Sequence, residues 1–451
     1  MIYGSELGLT QLLVNKHGAH MKFVPEWGKW LCWDGQRWSI DITGQVRRWI
    51  QGIIEEGHER AKNEDDTNLL RYWKSCACRN RILAVETLAK TYSGVPIGYE
   101  ELDVHPHLFN TVSGTVDLRT GDVKSHDPKD LITKLSPAKV NAQAKAPRWE
   151  QFLSEIMNGN KDLVGFLKRA FGYALTGDTK EQVYFFLHGF GANGKSTLVN
   201  TLLKIMGDYG QACAPDLFVS KRGDAHPTGV ARLCGARFVA ATEIEGNNKK
   251  LAKQLLKQVT GGERMVARRM REDYWEFEPV LKLFLSANSK PEIEGDDYGT
   301  WRRIILIPFE RQFSDEEKIP EMQDLLLEEI PGILNWLIEG CLEWQAVGLK
   351  RPEEIIKATK EYREENDVIA AFLEDETAEG GSLKKHPAVS MKKKALYDIF
   401  EFWSEGNGRE HRSMKWLSQQ MKKLGYDHER IRDGKNQNWY WKGIGSSVEW
   451  H

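Results

Sequence analysis

The chain has 451 residues, 41% of them hydrophobic and 28% charged, which suits a soluble globular protein with two or three separate cores. No stretch approaches the roughly 18 consecutive apolar residues of a membrane span, and Met1-Ile2-Tyr3-Gly4-Ser5-Glu6 lacks the basic-then-apolar design of a signal peptide. The formal net charge of −2 is unevenly spread: residues 381–451 hold 14 Lys and Arg against 8 Asp and Glu, a net of +6, which leaves −8 for residues 1–380.

Residues 1 to about 145 mix helical and short strand patterns. The run Trp27-Gly28-Lys29-Trp30-Leu31-Cys32-Trp33-Asp34-Gly35-Gln36-Arg37-Trp38 reads as a strand, an Asp-Gly turn and a return strand. Its tryptophans suit a small core better than stacking on bases. Helices are expected over 46–58 and 68–91, the second carrying Arg71, Lys74, Arg79 and Arg81. The six cysteines, several in apolar runs, read as reduced core residues of a cytosolic protein; Cys76-Ala77-Cys78 lacks the second Cys or His pair that zinc requires. A hairpin is expected around Thr120-Gly121, and the Ala- and Lys-rich stretch 137–147 reads as a linker.

Helical patterns from Trp149 to about Leu175 lead into the apolar run Val183-Tyr184-Phe185-Phe186-Leu187 and then Gly189-Phe190-Gly191-Ala192-Asn193-Gly194-Lys195-Ser196-Thr197. The latter fits the phosphate loop G-x-x-x-x-G-K-[ST] in its strand–loop–helix context. Its glycines, Gly189, Gly191 and Gly194, let backbone N–H groups curl around phosphate oxygens, and the following helix start adds a favourable dipole. Lys195 would reach the β- and γ-phosphates, and the Ser196 hydroxyl would bind Mg²⁺.

Strands and helices alternate from there to about Phe309, the doubly wound α/β pattern. Arg237-Phe238-Val239-Ala240-Ala241-Thr242-Glu243-Ile244-Glu245 is an apolar strand ending in acids, where α/β folds put their chemistry. Glu243 is the first candidate for the metal shell and water activation, with Glu245 second. Residues 264–278 read as a β-hairpin with Arg269, Met270 and Arg271 at its tip and Arg268 beside them. Such a tip suits a groove of phosphates or, equally, solvent. Val280 to Asn288 read as a third strand, with Asn288 at its end either to orient water against a γ-phosphate or to make a turn. Arg302 and Arg303 enter the apolar strand 304–309; arginines there are costly unless they meet an acid or a phosphate, and they fit an arginine finger. Helices are expected over 319–347 and 352–374, and 379–387 reads as a second linker before the basic tail. A polyanion partner and a solvated surface explain that tail's charge equally well.

The order of these parts resembles the superfamily 3 helicases, most closely the phage and plasmid primase-helicase family with its poxvirus relatives. The resemblance rests on 189–197, Glu243 to Glu245, Lys257-Gln258-Val259-Thr260-Gly261-Gly262-Glu263-Arg264, Asn288-Ser289-Lys290-Pro291, and Trp301-Arg302-Arg303 to Pro308-Phe309-Glu310, in order within about 120 residues. Asn193 before Gly-Lys-Ser is a habit of that family. The resemblance implies an α/β, AAA+-like ATPase core at 146–315, behind an α+β accessory domain at 1–145. A helical extension at 316–380 and a winged-helix nucleic-acid-binding domain at 381–451 would follow. It further implies a homo-oligomeric ring, usually a hexamer, around single-stranded DNA at a forked duplex. ATP and Mg²⁺ would be bound by Gly189, Gly191, Asn193, Gly194, Lys195, Ser196 and Thr197, with Glu243 on the metal. Asn288 would be the sensor, and Arg302 or Arg303 would act in trans. Arg268, Arg269 and Arg271 would grip the strand, with Lys257 near the site. The family unwinds 3′ to 5′. Larger relatives carry a priming domain whose clustered acids have no counterpart before Trp27, so a separate primase and other replication proteins are expected partners. The expected setting is the cytoplasm of a bacterial host, away from membranes. A primase-helicase, a packaging or remodelling ATPase, and a non-enzymatic origin-binding protein are the alternatives.

Overall fold

The computed structural model describes residues 5–220, 227–242, 250–268, 274–291, 293, 298–409, 411–433 and 436–447. It divides into two compact units, residues 1–291 with 302–356, and residues 292–301 with 357–451.

In the first unit, α1 (Glu6–His17) starts on Ser5, whose hydroxyl accepts from Gly8 N–H. Strands β1 (Met21–Val24), β2 (Lys29–Trp33) and β3 (Trp38–Ile40) form an antiparallel sheet. The expected Asp-Gly turn joins β2 to β3, with Asp34 Oδ1 accepting from Gln36 and Arg37 N–H at 2.9 Å each. Trp30 and Trp38 are buried, and the Trp38 indole donates to Pro128 O at 2.8 Å, so these tryptophans build the domain core. Helix α2 (Gln45–Asn63) follows. The single helix expected over 68–91 is instead two, α3 (Thr67–Cys76) and α4 (Arg79–Ala89). Cys78 is extended and exposed, while Cys76 turns into the core beside Val85 and Ala89. The second small antiparallel sheet, β4 (Leu108–Thr111), β5 (Gly114–Asp117) and β6 (Asp122–Lys124), includes the expected hairpin at Thr120-Gly121. Its Phe109, Val116 and Leu118 enter the same apolar cluster as the central sheet. The stretch 137–147 is no free linker. Ala138 and Ala146 are buried, and Asn335 ties down the carbonyls of Asn141 and Ala144 at 2.7 and 3.0 Å.

Helices α5 (Pro147–Ile156) and α6 (Lys161–Leu175) are separated by left-handed Asn158 and Gly159, after which the Asn160 side chain caps α6. Then come β7 (Tyr184–His188), α7 (Lys195–Met206), β8 (Gly210–Cys213), α8 (Pro227–Ala231), β9 (Phe238–Thr242) and α9 (Lys253–Gly261). The hairpin strands β10 (Met265–Ala267) and β11 (Trp275–Phe277) precede β12 (Lys282–Ala287), then α10 (Tyr298–Trp301), which belongs to the second unit, and β13 (Ile304–Pro308). Strands β13, β7, β12, β9 and β8 lie in that order, all parallel, which makes the α/β phosphate-loop core expected from the sequence. Burial along β7, β12 and β13 is nearly continuous, so these strands are covered on both faces, as parallel sheets are. Helices α11 (Met322–Glu328) and α12 (Ile330–Val347) complete this unit's core. Where α6 crosses α12, a Cβ on Gly172 would stand 2.1 Å from the Cys341 nitrogen, so only glycine admits the crossing.

The second unit takes the end of α13 (Glu353–Glu365), then α14 (Val368–Thr377), β14 (Leu383–Lys392), α15 (Lys393–Gly406), α16 (Met414–Lys423), β15 (His428–Asp433) and β16 (Asn436–Ser446). Its antiparallel sheet has the order β14-β16-β15; α14 and α15 pack against β14, and α16 packs against both helices. The core joins Ile369 and Phe372 of α14 to Leu396, Phe400, Leu417, Met421 and Trp441. The reading of 379–387 as a linker fails from Leu383 onward, because β14 runs through it. Its pairing with β16 shifts register between Lys385 and Ser390, around Pro387, which has no N–H to donate. Among the described residues, no helix is long and apolar enough to cross a membrane.

Candidate nucleotide site

Strand β7 delivers the chain to the carboxyl edge of the sheet, and α7 starts six residues past Gly189, at Lys195. Between them Ala192 and Gly194 adopt left-handed conformations, φ 59° and 81°. Gly189 packs so tightly that an added Cβ would stand 2.2 Å from Phe309 O. Asn193, only 3% exposed, is the internal clip of the loop: its amide nitrogen donates to Phe190 O at 2.6 Å and its Oδ1 accepts from Lys195 Nζ at 3.1 Å. Two backbone bonds beyond β13 hold the loop from outside, Phe309 N–H to His188 O at 2.7 Å and Phe313 N–H to Ala192 O at 2.8 Å.

Lys195 is 5% exposed. Its ammonium donates to Gly189 O, Asn193 Oδ1 and, at 3.3 Å, Asn288 Oδ1. These partners among the described residues are all uncharged, and burial pulls the lysine pKa down to about 8. A buried cation with neutral partners, at a helix start and under a glycine-lined loop, fits an anionic polyphosphate. Asn288, just past the end of β12, meets Lys195 because β12 lies beside β7. Ser196 is exposed on the first turn of α7 and Thr197 is half-buried. The Ser196 hydroxyl is therefore open to a metal held against the phosphates. Glu243 and Glu245 lie outside the described residues. Strand β9 ends at Thr242, which pairs with Ser286 of β12, and Ser286 pairs with Leu187 of β7, so the chain leaves β9 at the edge that carries Lys195.

The arginine pair is elsewhere. Arg302 and Arg303 precede β13, and Arg303 O accepts the Tyr184 N–H at the start of β7. Strands β13 and β7 run parallel from Ile304 beside Tyr184 to Pro308 beside His188. At about 3.3 Å per residue, the length of the sheet separates the arginines from Lys195. Arg302 is exposed and donates to Gln182 Oε1 at 3.1 Å; Arg303 is half-buried, donating to Gln182 O at 3.3 Å and Thr260 Oγ1 at 3.4 Å. Lys257 lies one turn before Thr260 on α9.

The expected hairpin forms, with Met265 opposite Phe277 and Ala267 opposite Trp275. Arg268 sits near its end with its guanidinium 4.9 Å from the Tyr274 ring centre, both exposed. Arg269 and Arg271 lie outside the described residues. Below, Arg264 pairs with Glu278 at 3.4 Å, and Tyr99 of the N-terminal region donates to Glu276 O at 3.2 Å.

Sequence reasoning missed two buried cations at the amino edge. Lys282 starts β12 with its ammonium on the carbonyls of Thr176, Asp178 and Val280 and 5.0 Å from the Tyr173 ring centre. Arg237, just before β9, donates to Leu175 O at 2.8 Å and His105 O at 3.1 Å. A charge inside an otherwise apolar strand was the available signal.

Comparison with known proteins agrees with this architecture. Residues 10–158 match the family described as D5 N terminal like, and residues 187–303 match a family of unknown function (DUF5906). The chain is 27% identical over 329 residues to "Putative helicase L207/L206" of Acanthamoeba polyphaga mimivirus, covering 68% of this chain and 34% of that protein. It is 25% identical to "Putative helicase 022R" of Frog virus 3, covering 54% and 26%. It is 24% identical to "Putative primase C962R" of African swine fever virus, covering 59% and 29%. The chain thus spans about a third or less of these relatives' lengths. Among solved structures, the apo C-terminal region of NrS-1 superposes with a TM-score of 0.55 at 13% identity, covering 97% of this chain and 99% of that one, a likeness of fold.

Proposed function

We propose that the chain is a phage or viral primase-helicase relative acting as an ATP-dependent replicative DNA helicase, working as a ring on single-stranded DNA; its likeness to viral putative helicases and primases supports that reading. Supporting this is the split of its candidate machinery between the two edges of one sheet. Lys195 waits, buried, for phosphates at the carboxyl edge, while Arg302 and Arg303 stand a strand's length away at the amino edge. Arginines so placed do not reach their own chain's nucleotide, but they suit the nucleotide of a neighbouring copy.

In this reading the loop 189–197 wraps the β- and γ-phosphates of ATP, and the Lys195 ammonium leaves its carbonyl partners for phosphate oxygens. Ser196, with Glu243, would hold Mg²⁺, which would supply positive charge against the phosphates. Glu243 or Glu245 polarises the attacking water. Asn288, freed from Lys195, orients that water against the γ-phosphate. The neighbour's Arg302 or Arg303 stabilises the transferring phosphoryl group. The hairpin β10–β11, carrying Arg268, Arg269 and Arg271, grips the strand through its backbone. Hydrolysis changes the contacts between copies and so moves the hairpins along DNA.

The test is strand displacement on duplexes with 3′ or 5′ overhangs, with and without ATP. ATP-dependent displacement is expected from the 3′ overhang, and none with Lys195→Ala. Robust ATP hydrolysis without displacement on either substrate would instead mark a packaging or remodelling ATPase.

A further inference from the structure

Part of the tail's basic surplus gathers on one face of the wing, the hairpin β15–β16. In β15 and β16, His428 lies opposite Trp441, Arg430 opposite Trp439 and Arg432 opposite Gln437, so these side chains share a face. Trp441 is buried in the core, whereas Trp439, farther out, is 45% exposed. Two helix ends close on the same place. Lys393, the first residue of α15, holds its ammonium 5.2 Å from the Trp439 ring centre and 4.8 Å from that of Trp441. Arg430 lies 5.7 Å from Trp439. Lys422, in the last turn of α16, is near enough to press down the pKa values of Lys393 and His428, each already lowered by burial.

Among the described residues, acidic groups do not balance this cluster. Asp427 faces His428 and raises its pKa only in part, and Glu429, on the opposite face, is taken by Lys442 at 2.7 Å. Among the described residues, Lys393, Lys422 and Arg430 form no ion pair with a carboxylate. Like charges held together disfavour the fold unless an anion joins them. Residues two apart on a strand stand about 7 Å apart. His428, Arg430 and Arg432 are therefore a row, which suits a chain of phosphates better than one small anion, and the exposed indole offers a flat surface to a base or sugar.

We infer that the inner face of the wing, built by Lys393, Lys422, Arg430, Arg432 and Trp439, is a second DNA-backbone cradle, separate from the hairpin β10–β11. The identity of the polyanion rests on the helicase reading above; the cradle itself rests on the packing of the tail. Its phosphates would come from a single strand or from a duplex. Trp439 adds affinity only where bases are unpaired.

The test uses the full chain without nucleotide and measures anisotropy of a labelled single strand and of a blunt duplex across a salt series. The variant carries Lys393→Gln and Arg430→Gln together; a conservative control carries Lys393→Arg and Arg430→Lys. The cradle requires weaker binding of at least one DNA by tenfold or more, and a plot of log affinity against log salt shallower by about 1–2. The control should bind as the parent does, and basal ATP hydrolysis should not change. Loss confined to the single strand, deepened by Trp439→Ala, identifies unpaired DNA as the occupant; loss on the duplex identifies backbone binding alone. Unchanged affinity and salt slope on both DNAs would overturn the cradle, even in a protein that displaces strands. Loss of strand displacement with the cradle's salt slope intact would count against the helicase reading alone.

Discussion

The two edges of the central sheet handle positive charge in opposite ways. At the carboxyl edge Lys195 is buried, and its partners among the described residues are uncharged oxygens that a phosphate can replace. At the amino edge stand four cations: Arg237 and Lys282, sealed in by backbone carbonyls, and Arg302 and Arg303, at or near the surface. Burial against fixed backbone carbonyls makes a cation part of the scaffold, because its removal takes a donor from buried carbonyls. A cation kept at the surface just before a strand remains available to a partner. Under the function proposed above, the carboxyl edge is half of a site that the arginines of a neighbouring copy complete.

The largest test of this contrast is Arg302→Ala with Arg303→Ala. Loss of a finger predicts a fall in ATP turnover of about 10³-fold or more with little change in nucleotide affinity. Equal loss of affinity, measured by equilibrium titration, would mean that the arginines serve their own chain's site. A smaller effect concerns Lys195. Burial lowers its pKa from 10.5 to about 8, and bound phosphates favour the charged form and raise it again. Nucleotide binding above pH 8 should therefore take up a proton, and affinity should fall up to about tenfold per pH unit between pH 8 and 10. Calorimetry in buffers of different ionisation enthalpy detects that proton; its absence would show that the lysine is charged before phosphate arrives. The linkage to folding has the opposite sense: between pH 8 and 10.5 the unfolded chain holds the extra proton, so this group's penalty on stability shrinks as pH rises. The smallest effect is assigned to the scaffold cations. Lys282→Met should cost about 1–3 kcal/mol of stability, by leaving three carbonyls without a donor. Denaturant unfolding should record that loss, and turnover per folded molecule should be unchanged.

Much of this was legible in the sequence, for identifiable reasons. The parallel sheet announced itself through apolar runs that need no alternation, and Gly189 to Lys195 carries its chemistry in its spacing. The hairpin at 264–278 was legible from its alternation around a polar tip. Local composition misled where tertiary contacts decide. The stretch 137–147 has no periodicity, yet Ala138 and Ala146 anchor it in the core. At 379–387 two glycines and a proline imitated a linker, although β14 absorbs Pro387 in a bulge. The helix expected over 68–91 breaks where Cys76 turns inward and Cys78 outward. At the site, the meeting of Asn288 with Lys195 depends on strand order, and the seating of Lys282 depends on the carbonyls of Thr176 and Asp178, 106 and 104 residues away in the chain. Neither is a property of local sequence.

The central claim is that each nucleotide site is shared between two copies, and mixing inactive variants tests it most directly. Lys195→Ala lacks a phosphate grip but keeps its arginines; the Arg302→Ala, Arg303→Ala double variant keeps the grip and lacks the finger. Each alone should hydrolyse ATP at background rates. Mixed at equal concentration and allowed to exchange, they should recover a substantial fraction of parental ATP turnover, because some junctions pair an intact loop with an intact finger. A mixture that stays at background after verified exchange between copies would contradict the shared site.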